Sequence, residues 1–568
     1  MSRLIVNSEQ NPCYKLKAII LGEDGRTEKQ FDSGTIIGHL LPQTNASGEP
    51  YIGAKINNEV ASLQLPLFVN CEIKGLTIKD DDGWYILRRS MIFLMQMAAA
   101  RALPEWDLKI RHTLPSGLFF VLENKQDKKI KMEVAQLAMF EEKLRELVKA
   151  DFPILRRMLS YDEAMAYFAA EGRHDKVLLL KHHNTPFIAT LCCDGFMDLH
   201  AQPVVASTGS LSVFSLVQYE DGCVLNLPNR NNASEPMKFV PQRELMRVHR
   251  EHTHWGEILG VRSVGELNQA VFERRIAEII MMSEALHNKN FAELASSIVN
   301  KDCRLVLIAG PSSAGKTTSA KRLMTHLKVN GKTPVVISTD DYFVGDAKNP
   351  LGPDGKPDYE HINALDLDEF NEHLASLLDG KKIYRRVFNF LTKLPERTNE
   401  ELQLGKDDIL IVEGIHGLNP ILTESIPRAD KFMIYLSALT QLGIDNSRTV
   451  STTDNRLIRR IVRDHLFRGR QAIETLQLWQ NVRRGEERWI FPYQDEADAC
   501  FNTSLDYELA VLKPFAEPLL TDIKPHQPEY SIARRLQMLL RSFHSVTTAA
   551  VPRDSILREY IGGSLLKY

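Results

Sequence analysis

Residues 304–329 read RLVLIAGPSSAGKTTSAKRLMTHLKV. A short apolar run is followed by a loop bounded by glycines and then by a helical pattern. Within it, Gly310-Pro311-Ser312-Ser313-Ala314-Gly315-Lys316-Thr317 fits G-x-x-x-x-G-K-[ST] in the strand–loop–helix setting that the motif requires. The glycines let backbone N–H groups turn inward around phosphate oxygens, and the helix N-terminus adds positive potential. Lys316 is placed to reach the β- and γ-phosphates, Thr317 to hold Mg²⁺, and Thr318 continues the loop. A chance glycine turn is the plain alternative, and the flanking strand and helix argue against it.

Working outward, TPVVIST and DDILIVEG are further buried-strand runs separated from the first by helical segments, the pattern of a doubly wound α/β domain. Ligands collect at the carboxyl ends of such strands. Asp340 ends one strand and is placed to accept the proton of an attacking hydroxyl, to orient it, or to help position Mg²⁺; a turn-capping Asp is the alternative. Asp341 is the weaker candidate because it should point elsewhere. Glu413 ends the third strand, as a metal-shell or substrate contact or simply as a charged strand terminus. Downstream, residues 454–470 carry six arginines in a helical pattern. Arginine forks suit phosphate oxygens, whereas a solvated basic face or a nucleic-acid patch explains the pattern equally well.

The whole chain has 568 residues, enough for several domains. It is 43% hydrophobic and 25% charged, which excludes a disordered or low-complexity protein. Its net charge of −3 supplies no global cationic field for nucleic acid. Seven scattered cysteines without a C-x-x-C pair fit a reducing compartment. The start, MSRLIVNSEQNP, lacks the apolar core of a secretory signal, and SMIFLMQMAAARALP is too short to span a bilayer. A cytoplasmic protein with no membrane contact is expected.

Ahead of residue 304, residues 15–80 alternate β-like runs and turns, with a short helix in GTIIGHLL. Helices are predicted from Ser90 to about Leu103 and from Glu133 to Lys149, strands in KVLLLKHH and PFIATLCC, and helix throughout 243–299. Met91, Met95 and Met97 read as core filler. His249, His252 and His254 read as packed or solvated helix surface rather than metal ligands. His182-His183 and Cys192-Cys193, on apparent strands, point to opposite faces and make poor chelators.

GPSSAGKTT, STDDYF, VEGIHGL and RLIRRIVRDHLFRGR, in this order and spacing, resemble uridine kinase and its relatives in the phosphoribulokinase/uridine kinase family. The resemblance implies a P-loop kinase using ATP and Mg²⁺ on a small-molecule hydroxyl. Lys316 and Thr317 would then serve phosphate and metal, Asp340 would be the base, and Arg463, Arg468 and Arg470 would lie in the lid. On the substrate side the implied residues are Tyr342, Glu360, His361, Phe388, Lys393, Glu413 and Arg460. Tyr359-Glu360-His361-Ile362 stands where uridine kinases have F-D-H-P, Phe388 and Lys393 fall at the pyrimidine contacts, and Leu478 takes the place of a lid glutamine.

The amino-terminal half is similar to threonyl-tRNA synthetases: residues 15–80 to their TGS domain, and the stretch to about Val240 to their second additional domain, notably in FMDLHAQPVVASTG. The synthetase H-x-x-x-H editing pair falls here on Arg89 and Phe93, and the C-x-x-x-H pair on His200 and Val204, so tRNA editing is not expected. With the carboxyl-terminal VPRDSILREYIGGS, the arrangement resembles bacterial uridine kinase-like nucleoside kinases with synthetase-type amino-terminal domains.

The fold class expected is multidomain α+β and α/β. A β-grasp-like TGS domain spans 1–80, an α+β second-additional-domain-like region 81–242, and a helical connector 243–300. A P-loop kinase domain with a parallel sheet follows at 301–520 and a helical extension at 521–568. The activity implied is phosphorylation of a nucleoside 5′-hydroxyl. The expected partners are a small-molecule nucleoside, an RNA or amino-acid ligand at the amino-terminal half, and a second copy of the chain in a homo-oligomer. The alternatives are a kinase of another hydroxyl substrate and an ATP-binding regulatory protein. A GTPase is disfavoured: Asn124-Lys-Gln-Asp127 precedes the phosphate loop, and no Asp after Lys316 has Gly three places on.

Overall fold

The computed structural model describes residues 15–567 except positions 24, 201, 354, 390 and 391, and only the backbone at residue 252. Cys13, the first twelve residues and the His252 side chain therefore lie outside the described residues.

The three apolar runs around the phosphate motif are strands. Leu305–Ala309 is wholly buried, and it pairs in parallel with Asp408–Glu413 on one side and Lys431–Ser437 on the other. Thr333–Ser338 and Ala499–Asn502 complete a five-stranded parallel sheet at its two edges. Parallel strands covered on both faces must be apolar along their length, which is why LVLIA and ILIV read as continuous runs. The chain leaves the central strand toward one edge and returns to the other side of it. Strand order therefore changes direction beside Leu305–Ala309, where such sheets open a crevice.

In the amino-terminal half, Leu16–Gly22 and Cys71–Leu76 are parallel neighbours in a five-stranded mixed sheet, the β-grasp-like arrangement expected. Helix Asp81–Ala102 follows and buries Met91, Met95 and Met97 in a core shared with a four-stranded antiparallel sheet. It begins well before Ser90, because Asp81 and Asp82 in its first turn suit the positive end of the helix. Helix Val134–Ala150 opens with a Glu133–Gln136 capping box.

KVLLLKHH is not a strand. His174–Leu180 is a helix that buries Lys176, Leu179 and Leu180, a short apolar run whose periodicity cannot separate the two states. His182 and His183 follow that helix instead of alternating on a strand, and His182 Nδ1 lies 3.1 Å from His544 Nε2. Cys192 and Cys193 do lie on a strand, Phe187–Cys193. His249 is buried and stacks on His112 at 3.5 Å, whereas His254 is exposed. No helix among the described residues is long and apolar enough to cross a membrane.

Helices Arg243–Leu259, Val264–Phe272 and Ile276–Lys301 fill the stretch read as helical throughout. The last two share one continuous core with the parallel sheet and the carboxyl-terminal helices, whereas Met246 of the first packs with Leu114, Phe119 and Val224 of the amino-terminal half. Residues 439–450 reach from the sheet into the amino-terminal half. There Lys176, fully buried, pairs with Asp198 at 2.7 Å and Asp445 at 3.2 Å and donates to Ser447 Oγ at 3.1 Å. Asp445 also pairs with Arg448, and Asn446 N–H donates to Asp175 at 2.9 Å. Arg535 bridges the same junction, 2.9 Å from Asp454 and stacked 4.2 Å over Tyr85.

Candidate active site

The buried strand Leu305–Ala309 runs into Gly310, where a Cβ would stand 2.5 Å from the Leu436 carbonyl oxygen, so a side chain there would collide with the neighbouring strand. Ser313 at φ 60° and Gly315 at φ 78° take left-handed turns that curl the chain around a central space. Helix Lys316–Val329 starts immediately after, with no side-chain cap, and so aims its free N–H groups and positive pole at that space. Lys316 Nζ donates to the Pro311 carbonyl at 3.3 Å.

Two carboxylates face the helix end. Register pairs Glu413 with both Ile308 and Ser338, and Thr317 Oγ1 donates to Glu413 Oε1 at 3.2 Å. A Cβ on Gly414 would fall 1.8 Å from Thr339 Oγ1; glycine therefore lets the turn carrying Asp340 close against the strand end. Burial, reinforced by the charge of Asp340 and opposed by Lys316, pushes the Glu413 carboxyl up to about 7. Crowded hard oxygen donors with surplus negative charge suit Mg²⁺, which takes few protein ligands and keeps water and phosphate oxygens. No group of three or more His, Cys, Asp or Glu side chains placed to hold a metal occurs among the described residues.

Glu360 lies on the same side, packed where a Cβ on Gly485 would stand 2.2 Å from its own Cβ. Burial pushes its carboxyl up to about 7; Arg460 opposes that rise and Glu486 adds to it. His361 sets its ring 4.6 Å from Trp489 and accepts the Asn363 N–H at 3.0 Å. His416, on the loop after Glu413, is buried with the Glu360 backbone beside its ring. Burial, with His361 and Lys316 nearby, drives its pKa down to about 3, so it is neutral at physiological pH.

The arginine-rich stretch is helix Thr452–Arg468, and it is not a solvated basic face. Arg456 is buried, donates Nε–H to the Ser312 carbonyl at 2.9 Å and pairs with Glu486. Arg459, fully buried, reaches the Ser313 carbonyl at 3.3 Å and pairs with Glu508. Arg460 donates to Ser312 Oγ at 2.7 Å. Arg460, Arg463, Arg468 and Arg470 all lie within 4 Å of the single carboxylate of Asp464, at 3.4, 2.9, 3.6 and 3.5 Å. Burial works to raise the Asp464 carboxyl, but Arg463, Arg460 and Arg468 outweigh it and hold it low. Arg463, then burial, lowers Arg468 to about 10. This cluster has more cations than anions, and a phosphate would complete it.

Three expected substrate residues have protein partners of their own. Tyr342 is buried, with its hydroxyl 3.0 Å from His373 Nδ1 and its ring against Phe370. Phe388 packs in the core with Phe343 and Tyr359. Lys393, largely exposed, pairs with Asp346 at 2.8 Å. Asp341, the weaker candidate, has its carboxyl raised to about 6 by burial.

Sequence reading missed Glu486, which accepts the Ser312 N–H at 3.2 Å, and the inward roles of Arg456 and Arg459. The alternation of arginines with apolar residues on one helix was their only signal. At the synthetase-like positions, Phe93 and Val204 are buried among apolar neighbours, Arg89 bonds Gln202, and burial drives His200 down to about 3.

Residues 305–510 match the model of the "Phosphoribulokinase / Uridine kinase family". The chain is 32% identical over 180 residues to a uridine kinase of Halalkalibacterium halodurans, covering 32% of this chain and 76% of that enzyme. It is also 28% identical over 257 residues to a threonine–tRNA ligase of Desulforamulus reducens, covering 43% of this chain. The chain spans 40% of the length of that ligase and 29% of that of a Symbiobacterium thermophilum homologue. Among solved structures, a possible uridine kinase from Bacillus stearothermophilus is 17% identical with a TM-score of 0.27, over 38% of this chain and 98% of that one. The matched stretch contains the phosphate loop, both acidic strand ends and the arginine helix, and with a uridine kinase covered over most of its length the chain belongs to the phosphoribulokinase/uridine kinase family.

Proposed function

We propose that this chain is an ATP- and Mg²⁺-dependent kinase that phosphorylates the 5′-hydroxyl of a uridine- or cytidine-like nucleoside. The observation that carries the reading is the crevice itself: Thr317, at an uncapped helix N-terminus, is bonded to Glu413, with Asp340 and Lys316 close enough to shift the Glu413 carboxyl. In this reading residues 310–318 and Arg470 cradle the nucleotide, and Thr317 and Glu413 would hold Mg²⁺. The bound metal supplies neutralisation of phosphate charge. Lys316 draws charge from the phosphate oxygens. Asp340 orients the acceptor hydroxyl and accepts its proton. Arg463 and Arg468 turn from Asp464 to the transferring group, stabilising the charge it develops. Glu360, His361 and Arg460 line the acceptor side.

We assign the chain the division 1–80, 81–242, 243–300, 301–520 and 521–568, in the cytoplasm, with the first two segments binding an RNA or amino-acid ligand and the assembly a homo-oligomer. A second reading, a kinase of a different hydroxyl acceptor, is favoured by the protein partners that Tyr342, Phe388 and Lys393 already have. An ATP-consumption screen across ribonucleosides, deoxynucleosides, ribulose 5-phosphate and pantothenate, with product masses, separates the two. Uridine or cytidine turnover supports the first; turnover of another compound alone supports the second; none overturns both.

A further inference from the structure

The family match ends at residue 510, yet residues 551–565 return to the back of the phosphate loop. Tyr560, fully buried, donates its hydroxyl to the Ser313 carbonyl at 3.0 Å, and its ring lies 5.2 Å beneath the Arg459 guanidinium. Arg459 donates to the same carbonyl at 3.3 Å. Thr318 Oγ1, one residue beyond the proposed metal ligand, donates to Glu559 Oε2 at 2.6 Å. Ile556 Cγ2 stands 2.8 Å from where a Cβ on Gly315 would lie. The segment is stiff in its own right: Arg558 ties it together through the carbonyls of Thr548 at 2.9 Å, Pro552 at 3.2 Å and Gly562 at 3.3 Å.

Ser313 is the one non-glycine residue of the loop at positive φ, a conformation that persists only when its surroundings enforce it. Two donors on its carbonyl do so. Because the peptide is planar, fixing that oxygen fixes the plane through Ala314 N and the curl that follows. We propose that Tyr560 and Glu559 are positioning residues for the phosphate loop, making the carboxyl-terminal strap a required part of the nucleotide site. This rests on the nucleotide reading above.

The test is calorimetric binding of ADP with Mg²⁺. Tyr560→Phe keeps the ring and removes one hydrogen bond, and it should weaken ADP binding about tenfold with little change in the melting temperature. Adding Ser313→Gly, which relieves the left-handed turn, should recover part of that loss. Glu559→Leu, at a half-buried surface position, should also weaken ADP, whereas Glu559→Gln retains an acceptor for Thr318 and should bind nearly as wild type. Glu559→Leu carries the test if Tyr560→Phe does not fold. Binding of ADP within twofold of wild type by both Tyr560→Phe and Glu559→Leu would overturn the inference, as would no recovery from Ser313→Gly. Wild-type protein that binds no ADP would overturn the nucleotide reading itself.

Discussion

Two of the buried charge clusters among the described residues are biased in opposite directions. At the junction of the two halves, Lys176 and Arg448 surround Asp445, and Lys176 and Arg173 flank Asp198. Burial works to raise both carboxyls, but these cations outweigh it, and Asp198 and Asp445 stay below the ordinary carboxylate range. At the phosphate crevice, Glu413 and Glu360 are pushed up to about 7, because burial is joined by Asp340 for one and Glu486 for the other. The first cluster is closed: with Asp175 beside Arg173, three cations face three carboxylates, and together they hold two parts of the chain. The second is open, with surplus negative charge at the strand ends and surplus positive charge on the arginine helix, as a site for a metal–polyphosphate would be. Buried charge alone thus does not separate the two clusters; its imbalance does.

The strongest way to break the contrast is Lys316→Ala. It should lower kcat/KM by about a thousandfold or more in a coupled assay while the melting temperature stays near wild type. Near-normal turnover would remove Lys316 from the chemistry. At the closed cluster the effect should fall on stability instead. Lys176→Met leaves Asp198 and Asp445 without their shared cation and should cost about 3–5 kcal/mol in denaturant unfolding. A loss below 1 kcal/mol would mean that the junction is not held by this network.

Asp340→Asn sharpens the comparison within the open site. It should lower kcat about a hundredfold or more with ATP affinity largely unchanged. Normal turnover would exclude Asp340 as the base.

The smallest expected effect is a pH dependence of opposite sign at the two clusters. Folded Glu413 keeps its proton up to about pH 7, whereas in the unfolded chain it titrates near 4.5. The folded state therefore holds the extra proton in that window, and stability from this group falls as pH rises through it. Asp198 and Asp445, held low, contribute stability that is full above about pH 4 and is lost on acidification. Mg²⁺ should replace the Glu413 proton, raising the melting temperature about 2 °C more at pH 8 than at pH 5.5. An equal shift at both values would place the metal elsewhere.

Much of the open site was legible because its determinants are local. A glycine-bounded loop between an apolar run and a helix suits phosphate, and an acid at the end of a buried parallel strand lies at the edge where ligands collect. The β-like and helical patterns of the amino-terminal half were also legible, except where KVLLLKHH, too short to show a period, formed a helix. The closed cluster had no such signal, because Lys176 and Asp445 are separated by 269 residues. The packing of His373 and Phe370 against Tyr342 also had no local signal, because those partners lie about 30 residues further along the chain.

By itself the sequence determined the phosphate loop, the parallel sheet that presents it and the acidic strand ends, because short-range chemistry and periodicity dictate each. Only the tertiary structure decided where the arginines point, that Glu486 receives a loop amide, and that Tyr560 props Ser313 from 247 residues away. These depend on which surfaces meet when separate elements bury their apolar faces, and burial then sets which charges are neutralised and which await a ligand.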